Sequence, residues 1–491
     1  MTDELSYRTL YSGGAWVAPH ADATIEVENP ATEAVIGTVP RGDATDIECA
    51  VEHARQALPS WSATTWPDRQ RYLRSLAENL RDEAERTAQT IVAELGMPID
   101  ATLDVQALEP ASIIDSYASA MDLLIWEHDV AHSLIAREPV GVVGAITPWN
   151  YPLYQIACKV GAALAAGCTV VLKPSELTPF NAYIFAEAAD KAGLPPGVVN
   201  LVTGFGAEAG EALVTHPGLD MISFTGSTTV GRRVATAAAA SIIPVLLELG
   251  GKSASIILDG ADLDSALAGS LRSCFRNSGQ SCSSHTRLLV PRHLHGQVVD
   301  AVVDRVGSVR LGDPLDHGDH LGPVVSAAQR ERVRRYIDQG TTSGARLVAG
   351  GPAAPDGFDR GYYVRPTVFA DVDPNAVIAQ EEIFGPVLCI LAYRDIADAV
   401  RIANATPYGL SAGVWCATES DGMELARRLR AGEVQLNGAP FNVHAPFGGM
   451  GLSGFGRELG SYGIEAFTAT KAVHRAAPAT SVDAPAAASP A

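Results

Sequence analysis

The sequence predicts an α/β protein with two doubly wound α/β domains, and two observations carry this prediction. From residue 140 to residue 250, apolar runs rich in β-branched residues alternate with helical segments. A second alternating series follows Lys252. Apolar strands that alternate with helices form parallel sheets whose two faces are both covered. The chain of 491 residues is long enough for about three domains.

The N-terminal part of the chain precedes these two series and mixes short strands with long helices. Residues 7–40 alternate in polarity between turn signals, which predicts short strands or a hairpin. An amphipathic helix is expected over 43–57, and a longer helix over 67–95. A further helix over 100–126 is expected to kink near Pro110, because proline lacks a backbone N–H.

The first α/β series is predicted to form a parallel sheet that binds a ligand at the carboxyl ends of its strands. Its expected strands are 140–146, 169–172, 198–202, 221–224 and 245–249. Its expected helices are 151–166, 179–192, 207–214 and 229–240.

The second series is predicted to form a separate α/β domain, with the loop around Cys282 facing the first domain. Its expected strands are 254–258, 286–290 and 387–391. Its expected helices are 261–275, 294–306 and 326–339. Residues 476–491 are rich in Ala, Pro and Ser and contain no Leu, Ile or Phe, so a disordered tail is expected there.

The composition excludes several classes of partner. The net charge is −20, which argues against nucleic acid and against anionic membrane surfaces. The acidic, polar start of the sequence predicts no signal peptide, and no apolar run is long enough to be expected to span a bilayer. The seven cysteines are scattered, without CxxC spacing, which favours a reducing cytoplasm over a disulfide framework. The twelve histidines include no HExxH motif, so no metal is expected.

Two glycine turns are candidates for a phosphate-binding loop. One contains Gly204 and Gly206, and the other runs from Gly226 to Gly231 after the fourth strand of the first series. Either turn can place backbone N–H groups and a helix N-terminus against a pyrophosphate, and either can be an ordinary βα turn. We favour the second turn, because Ser227 can cap the helix and also contact a phosphate.

Two other strand ends carry polar residues suited to binding. Glu176 follows the second strand and can accept hydrogen bonds from a ribose diol, which favours NAD over a 2′-phosphorylated cofactor. Lys173 can donate to the same sugar, although the pair can also be a solvated ion pair. Asn150 lies between Pro148 and Pro152, where its amide can donate to an oxyanion or simply form an Asx turn.

A cysteine and a glutamate supply the reactive groups. Cys282 lies in the small, polar segment 277–282 (NSGQSC), so it is either a nucleophile or a packing residue. Glu248 lies between leucines, in a setting that disfavours ionisation and suits a general base, but it can also pair with Lys252. The other six cysteines lie mostly in apolar runs, and we assign them packing roles.

These motifs together resemble the aldehyde dehydrogenase superfamily. The resemblance covers nearly the whole chain, and its further motifs occur in the family's order: residues 29–32 (NPAT), 381–387 (EEIFGPV), 404–410 (NATPYGL), 446–449 (PFGG) and 453–458 (SGFGRE). It departs from the family after PFGG, where Met450-Gly451 replaces the common Tyr-Lys or Phe-Lys.

The resemblance implies a catalytic set of four residues. It makes Cys282 the nucleophile, and Asn150 with the Cys282 backbone N–H the oxyanion hole. Glu248 becomes the general base that hydrolyses a thioester. Lys159 matches the family's lysine near the active site.

The resemblance also implies a site for NAD, with NADP as an alternative. Lys173 and Glu176 hold the adenosine ribose, and Ser227 contacts the pyrophosphate. Glu382 holds the nicotinamide ribose, and Phe384 packs near the nicotinamide. The whole implied cofactor set is Ile146, Pro148, Trp149, Lys173, Ser175, Glu176, Gly206, Phe224, Gly226, Ser227, Glu248, Leu249, Gly250, Glu382 and Phe384.

The family fold implies a Rossmann-like cofactor domain, a catalytic domain and a small β oligomerisation element. On this chain the cofactor domain is expected at 1–120 and 138–250, and the catalytic domain at 251–445. The oligomerisation element is expected at 121–137 and 460–475, followed by the tail at 476–491. The implied assembly is a cytoplasmic homodimer or homotetramer.

The substrate is expected to be a small-molecule aldehyde, apolar or aromatic. The implied pocket residues are Tyr151, Tyr154, Cys158, Ser281, Ser283, Phe441 and Phe447. Relatives that take succinate semialdehyde resemble one another in carrying an arginine at the position of Cys158, which is uncharged here. Arg276, close to Cys282 in sequence, weakens this argument, so a semialdehyde dehydrogenase remains an alternative. A cofactor-independent thiol esterase, a CoA-acylating variant and a non-catalytic protein on the same scaffold are further alternatives.

Overall fold

The computed structural model describes residues 5–476. Its strands, in chain order, are β1 (Leu10–Ser12), β2 (Ala15–Val17), β3 (Thr24–Asn29), β4 (Ala34–Pro40), β5 (Glu127–Val130), β6 (Ser133–Pro139), β7 (Val142–Ile146), β8 (Thr169–Lys173), β9 (Val199–Leu201), β10 (Met221–Thr225), β11 (Val245–Glu248), β12 (Ala254–Ile257), β13 (Arg287–Pro291), β14 (Arg346–Ala349), β15 (Thr367–Ala370), β16 (Val387–Tyr393), β17 (Ser411–Trp415), β18 (Glu433–Leu436), β19 (Gly454–Phe455) and β20 (Thr468–His474).

Its α-helices are α1 (Ala44–Ser62), α2 (Trp66–Asp82), α3 (Ala84–Leu95), α4 (Ile99–Thr102), α5 (Glu109–Ala120), α6 (Pro152–Ile156), α7 (Ala162–Ala166), α8 (Phe180–Lys191), α9 (Glu211–Val214), α10 (Thr228–Ser241), α11 (Leu263–Phe275), α12 (His295–Gly307), α13 (Ala327–Thr342), α14 (Val377–Gln380), α15 (Ile396–Ala403), α16 (Glu419–Ala426) and α17 (Gly460–Glu465). Short π-helical segments occur at Leu103–Leu108, Ala157–Gly161 and Gly206–Gly210.

The first large sheet has eight strands in the order β19-β11-β10-β7-β8-β9-β1-β2. Strands β7 to β11 are mutually parallel, as the alternating pattern predicted, and β1, β2 and β19 are antiparallel additions at the edges. From β7 the chain adds β8 and β9 on one side and then β10 and β11 on the other. This reversal creates a crevice between the carboxyl ends of β7 and β10, where doubly wound sheets bind ligands.

The second large sheet has seven strands in the order β14-β15-β16-β13-β12-β17-β18. All neighbours are parallel except β14 and β15. The predicted strands β12, β13 and β16 form its centre, whereas β14, β15, β17 and β18 were not predicted. The doubly wound α/β prediction is therefore confirmed for both sheets. Separate apolar clusters cover the two faces of each sheet.

Two smaller sheets complete the fold. Strands β3 and β4 form the expected hairpin. Strands β20, β6 and β5 form a three-stranded antiparallel sheet, in which β5 and β20 lie within the ranges expected for oligomerisation and β6 extends two residues beyond them. All of β5 and nearly all of β20 is exposed, so this sheet presents uncovered surface.

Three helix predictions are wrong in detail. The helix expected over 67–95 is two helices, because Glu83 leaves the helical region (φ −96°, ψ 10°) and caps both α2 and α3. The helix expected over 100–126 is interrupted by the π-helical segment Leu103–Leu108 and stops at Ala120, the last residue of α5. The interruption lies just before Pro110, which has no N–H to donate to the carbonyl one turn earlier. The helix expected over 151–166 is interrupted by the π-helical segment Ala157–Gly161.

Three other findings concern the C-terminal tail, membrane-spanning helices and metal-binding groups. Ala476 is described, but the rest of the predicted tail, 477–491, lies outside the described residues. Over residues 5–476, no helix is both long and apolar enough to cross a membrane. The same part of the chain holds no group of three or more His, Cys, Asp or Glu side chains placed to bind a metal ion.

Candidate active site

The carboxyl ends of the strands in the first large sheet meet the amino ends of the strands in the second. The connection from β11 to β12 is short, so the second sheet begins where the first one ends. The first sheet contributes the carboxyl ends of β7, β10 and β11, whereas the second contributes the loops that precede β13 and β16. Ligand-binding loops of the second sheet therefore lie at the amino ends of its strands, which the rule for open α/β sheets does not predict.

A cleft open to solvent lies at this junction. The predicted site residues that line it are Pro148, Trp149, Asn150, Tyr151, Gly226, Ser227, Glu248, Leu249, Gly250, Cys282, Glu382 and Phe384. Four further lining residues were not predicted: Gln155, Thr225, Gln329 and Arg332.

The remaining predicted site residues lie outside the lining of this cleft. Ile146 and Phe224 are buried in the ends of β7 and β10, and Lys173, Ser175 and Glu176 lie at the end of β8. Tyr154, Cys158, Phe441 and Phe447 belong to, or pack against, the apolar cluster that Cys282 also contacts. Lys159 is fully buried behind the cleft. Gly206, Ser281 and Ser283 also do not line it.

The loop that carries Cys282 is held in a constrained conformation. Asn277, Ser278 and Gly279 are all left-handed, with φ of 50°, 54° and 77°. A Cβ on Gly279 would lie 2.1 Å from the carbonyl oxygen of Gly385, so only glycine fits there. Such strain persists only when the surroundings fix it, and it is typical of functional sites. Cys282 itself is half-buried.

Hydrogen bonds from the side chains of Ser278 and Gln280 hold this loop in place. Ser278 Oγ donates to the carbonyl of Gly322 at 2.7 Å. Gln280 Nε2 donates to the carbonyl of Asn277 at 3.0 Å, while its Oε1 accepts from Val325 N at 2.8 Å. These bonds pre-organise the position of the Cys282 thiol.

Asn150 faces the same loop. Its Nδ2 donates to the carbonyl of Gln280 at 3.0 Å. Its own carbonyl accepts from Gln106 Nε2 and Asn277 Nδ2, both at 3.0 Å. Over the described residues, the amide nitrogen makes only that one hydrogen bond, so its second N–H can donate to a ligand.

Glu248 is buried, and neither carboxylate oxygen has a hydrogen-bond partner in the described part of the chain. Burial raises its pKa well above the usual range, and the nearby Glu458 raises it further, against the cations Lys159 and Arg457. Gly448 leaves room for this carboxylate, because a Cβ there would lie 2.7 Å from Glu248 Oε1. The alternative ion pair with Lys252 does not form.

A buried ion pair lies beside Glu248. Lys159 Nζ contacts Glu458 Oε1 at 2.5 Å, and both side chains are almost completely buried. Lys159 lies in the π-helical segment Ala157–Gly161, and π-helical turns are frequent at functional sites. Sequence analysis included Glu458 only as part of a motif, because the pairing joins residues far apart in the chain.

The loop before β16 is tied to the end of the first sheet. Gly251 N donates to Glu382 Oε1 at 3.0 Å, and burial raises the pKa of Glu382 to about 7. Arg332 Nη2 donates to the Glu382 carbonyl at 2.6 Å, and Gln329 Nε2 to the Phe384 carbonyl at 2.7 Å. Gln329 and Arg332, two of the four lining residues that sequence analysis missed, thus hold the backbone of this loop.

The ring of Phe384 stands edge-on to Trp149, with centroids 5.3 Å apart. Phe384 has a positive φ of 63°, which a bulky residue rarely adopts. The hydrogen bond from Gln329 to its carbonyl helps to hold this conformation. An aromatic wall therefore closes one side of the cleft.

Lys173 and Ser227 lie on the outer part of the same edge. Lys173 Nζ contacts Glu176 Oε2 at 3.3 Å and donates to the Pro174 carbonyl at 3.0 Å. Ser227 is the N-cap of α10, and its Oγ accepts from Val230 N at 3.3 Å. The favoured glycine turn therefore does open a helix at the cleft, whereas the turn at Gly206 opens only a π-helical segment.

One prediction about cysteines is wrong. Cys158, Cys168, Cys274, Cys389 and Cys416 are buried, but Cys49 is exposed on α1 and has no packing role. Its helix has an amphipathic pattern, and Cys49 falls on the solvent side.

Comparisons with known proteins point to one family. A family model described as "Aldehyde dehydrogenase family" matches residues 16–473. A 3-succinoylsemialdehyde-pyridine dehydrogenase of Pseudomonas sp is 44% identical, over 95% of this chain and 98% of the relative. A geranial dehydrogenase of Castellaniella defragrans is 43% identical, over 96% and 99%.

The fold is also similar to solved structures. A mutant of aldehyde dehydrogenase C (AldC) from Pseudomonas syringae, in complex with NAD+ and octanal, superposes with a TM-score of 0.96. The two sequences are 44% identical, and the match covers 98% of this chain and 99% of that one.

Proposed function

The chain belongs to the aldehyde dehydrogenase family, and from this premise we propose that it oxidises an aldehyde to a carboxylic acid with NAD, through a covalent intermediate on Cys282. One observation carries the proposal. A half-buried thiol lines one cleft together with a buried carboxylate and an amide N–H that have no hydrogen-bond partner among residues 5–476. These are a nucleophile, a base and an oxyanion donor.

The residues at the cleft fit a dinucleotide. A Cβ on Gly250 would lie only 2.3 Å from Glu382 Oε2. Because glycine has no side chain, the surface beside that carboxylate stays open. Ser227 and the N-terminus of α10 can receive a pyrophosphate. Lys173 and Glu176 can hold a ribose, and a carboxylate at that position disfavours a 2′-phosphate, so NAD is proposed over NADP.

The first half-reaction needs a thiolate. Burial, and the carboxylates of Glu382 and Glu248 nearby, raise the pKa of the Cys282 thiol, so a base must remove its proton. In this proposal the proton is lost to solvent through the cleft, and Glu248 acts only on the water of the second half-reaction.

The thiolate sulfur then bonds to the aldehyde carbon, and the carbonyl oxygen becomes an oxyanion. The free N–H of Asn150 and the backbone N–H of Cys282 donate to this oxygen; one such donor is worth about 3–4 kcal/mol. NAD, when bound, supplies the acceptor for the hydride whose loss leaves a thioester on Cys282.

In the second half-reaction, Glu248 removes a proton from water, and the resulting hydroxide attacks the thioester carbon. The carbon–sulfur bond breaks, the acid leaves and the Cys282 thiolate is regenerated. Lys159 and Glu458 are positioning residues here, because their buried pair fixes the charge that Glu248 experiences.

An apolar or aromatic aldehyde is the proposed substrate class. The rings of Tyr151 and Tyr154 lie 6.2 Å apart, and those of Phe441 and Phe447 lie 5.8 Å apart. Cys158 is buried in the same apolar cluster and carries no charge at the position where an acid-specific relative would place arginine. The relatives named for geranial and solved with octanal support this class.

The test is NADH production, followed by absorbance, with aliphatic, aromatic and acidic aldehydes, using the unmodified enzyme and Cys282→Ala. We expect turnover with NAD that is fastest for apolar or aromatic aldehydes and absent in the variant. Fastest turnover of acidic semialdehydes would replace the substrate class. Cleavage of an activated ester, without turnover of any aldehyde, would instead favour the thiol esterase alternative.

A further inference from the structure

Glu94 is a buried acid that none of the roles proposed above uses. It lies near the end of α3, and its side chain is completely buried. Its carboxylate accepts three hydrogen bonds from the start of α8: from Phe180 N at 2.9 Å, from Asn181 Nδ2 at 2.7 Å and from Asn181 N at 3.4 Å. A glutamate is rarely buried so completely unless such donors compensate it.

Helix α8 uses this contact because its own sequence does not cap it. The residue before α8 is Pro179, whose side chain accepts no hydrogen bond from the first turn. The first N–H groups of a helix have no partner within the helix. A carboxylate suits them, because it offers two acceptor oxygens without a donor and because a helix N-terminus favours negative charge. Glu94 is therefore a cap that a different helix supplies.

The contact continues from α8 into the loop that precedes it. Asn181 Nδ2 also donates to the carbonyl of Thr178 at 2.7 Å. Thr178 is fully buried as well, and its hydroxyl donates to the Trp149 carbonyl at 3.3 Å. Glu94, Asn181 and Thr178 thus form a buried chain of hydrogen bonds from α3 to Trp149, which lines the active-site cleft.

This chain of hydrogen bonds fixes one end of the loop that carries the proposed ribose contact. The loop leaves β8 at Lys173, where the sheet holds its first end. Its second end is Thr178, which the chain of hydrogen bonds holds. Glu176 lies two residues before Thr178, so a shift of this end would move the Glu176 carboxylate.

We propose that Glu94 is a positioning residue for the cofactor, which holds the N-terminus of α8 so that Glu176 meets the adenosine ribose. Glu94 acts through Asn181 and Thr178 rather than by touching the cofactor. The inference rests on the proposed NAD-dependent function, and it assigns part of the cofactor's affinity to a helix outside the sheet that forms the cofactor site.

The charge of Glu94 gives this role a pH signature. Burial raises the pKa of Glu94 to about 8, against the hydrogen bonds from Asn181 and Phe180, which lower it. Above that pH the carboxylate is an acceptor only, whereas below it a proton on the carboxyl group competes with the N–H donors of α8. Tyr7, which lies close enough to feel the charge of Glu94, has a pKa of about 12 and stays neutral over this range. The contact with α8 is therefore stronger at pH 9 than at pH 7.

The experiment is isothermal titration calorimetry of the full-length protein with NAD. At pH 9, Glu94→Gln should raise the dissociation constant about fivefold or more, because its amide turns a donor toward the N–H groups of α8. The increase should be smaller at pH 7, and variants are compared at one pH because Glu382 also titrates near neutrality. Glu85→Gln, at an exposed position on the same helix, is the matched control. The KM for the aldehyde at saturating NAD should change by less than about twofold.

Two further variants separate positioning from a general loss of stability. Glu176→Gln removes the proposed ribose contact itself, so adding Glu94→Gln to it should weaken NAD binding much less than Glu94→Gln does alone. Asn181→Ala breaks the bond to Thr178 but keeps both backbone bonds to Glu94, so it remains informative if Glu94→Gln fails to fold. It should weaken NAD binding about threefold, as expected for one lost hydrogen bond.

Equal dissociation constants for NAD in the unmodified protein, Glu94→Gln and Asn181→Ala would overturn the positioning role. The same fold loss from Glu94→Gln with and without Glu176→Gln would also overturn it, because the two residues would then act independently. An unmodified protein that binds no NAD would instead overturn the proposed function, and this inference with it.

Discussion

Glu248 is the residue whose chemistry is set most clearly by its surroundings. It is buried beside a second acid and a buried lysine, and its carboxylate has no hydrogen-bond partner in the described part of the chain. Burial raises its pKa, so at neutral pH a smaller fraction is ionised than for an exposed glutamate. The carboxylate form, which acts as the base, becomes more populated as the pH rises.

The raised pKa of Glu248 predicts how turnover depends on pH. Steady-state NADH production should rise from neutral to alkaline pH, because both Glu248 and the Cys282 thiol have raised pKa values and both must lose a proton. Glu248→Gln should lose most of its turnover and much of that pH dependence. Glu26→Gln, at an exposed position on β3, is the control. A Glu248→Gln profile that matches the unmodified enzyme would rule out the base role.

Cys158 gives the second prediction, on substrate choice. Cys158→Arg should raise the ratio of acidic to neutral aldehyde turnover, because the new guanidinium would lie in the apolar cluster that Cys282 contacts. Cys158→Met, of similar length but uncharged, should leave the ratio unchanged. The melting temperatures of both variants identify a folding defect. An unchanged ratio in a folded Cys158→Arg protein would count against this pocket.

Sequence reasoning named the candidate reactive residues, but not the residues that contact and hold the loops around them. Cys282, Glu248 and Asn150 occur in short local motifs, and the fold brings them to one cleft. Gln329, Arg332 and Glu458 act through contacts with residues far along the chain. A pattern within one segment carries no signal for such pairings, so only the structure reveals them.

At the level of elements, the connection from β11 to β12 brings the two sheets together. Residues 249–253 separate a catalytic strand end from the start of the second sheet. Two glycines are required there because other groups approach the backbone closely, namely Glu382 at Gly250 and the Cys282 carbonyl at Gly251. The spacing of the motifs in the sequence did not predict this close approach.

Gly250 is therefore predicted to tolerate no side chain. Gly250→Ala places a Cβ 2.3 Å from Glu382 Oε2 and should displace this carboxylate, raising the KM for NAD more than about tenfold. Gly296→Ala is the matched control, since it lies in helix α12 with open space around its Cβ. Equal KM values for NAD in the two variants would contradict the proposed role of Glu382.

Elements with a clear period were predicted better than interrupted ones. The buried strands β7 to β13 match their apolar runs closely. The π-helical segments at Leu103–Leu108 and Ala157–Gly161 keep an apolar pattern that resembles a regular helix, so the sequence shows no break there. The edge strands β14 and β18 are only partly buried and lack a strong alternation.

At the level of the whole molecule, no part of residues 5–476 covers the exposed residues of the three-stranded sheet of β20, β6 and β5. Apolar side chains on and beside it are exposed, including Ile125 (64%) and Val130 (52%). An apolar surface on an open sheet edge is typical of a protein–protein interface. We propose that a second copy of the chain covers it.

Val130→Glu should therefore lower the oligomeric mass measured by light scattering after size exclusion. The substitution would bury a charge at the proposed interface, which costs several kcal/mol. Val35→Glu is the matched control, because Val35 on β4 has the same exposure of 52% but lies on the N-terminal hairpin. An unmodified protein that is monomeric, or a Val130→Glu oligomer of unchanged mass, would contradict this assembly.

The covalent intermediate is the central claim, and intact-protein mass spectrometry tests it most directly. Glu248→Gln should accumulate the thioester, because attack by sulfur and loss of hydride can proceed while hydrolysis is blocked. After mixing this variant with NAD and a good aldehyde, we expect one acyl group per chain, on the peptide that contains Cys282, together with one equivalent of NADH. NADH production without any adduct, or an adduct that persists when Cys282 is also replaced by alanine, would contradict the mechanism.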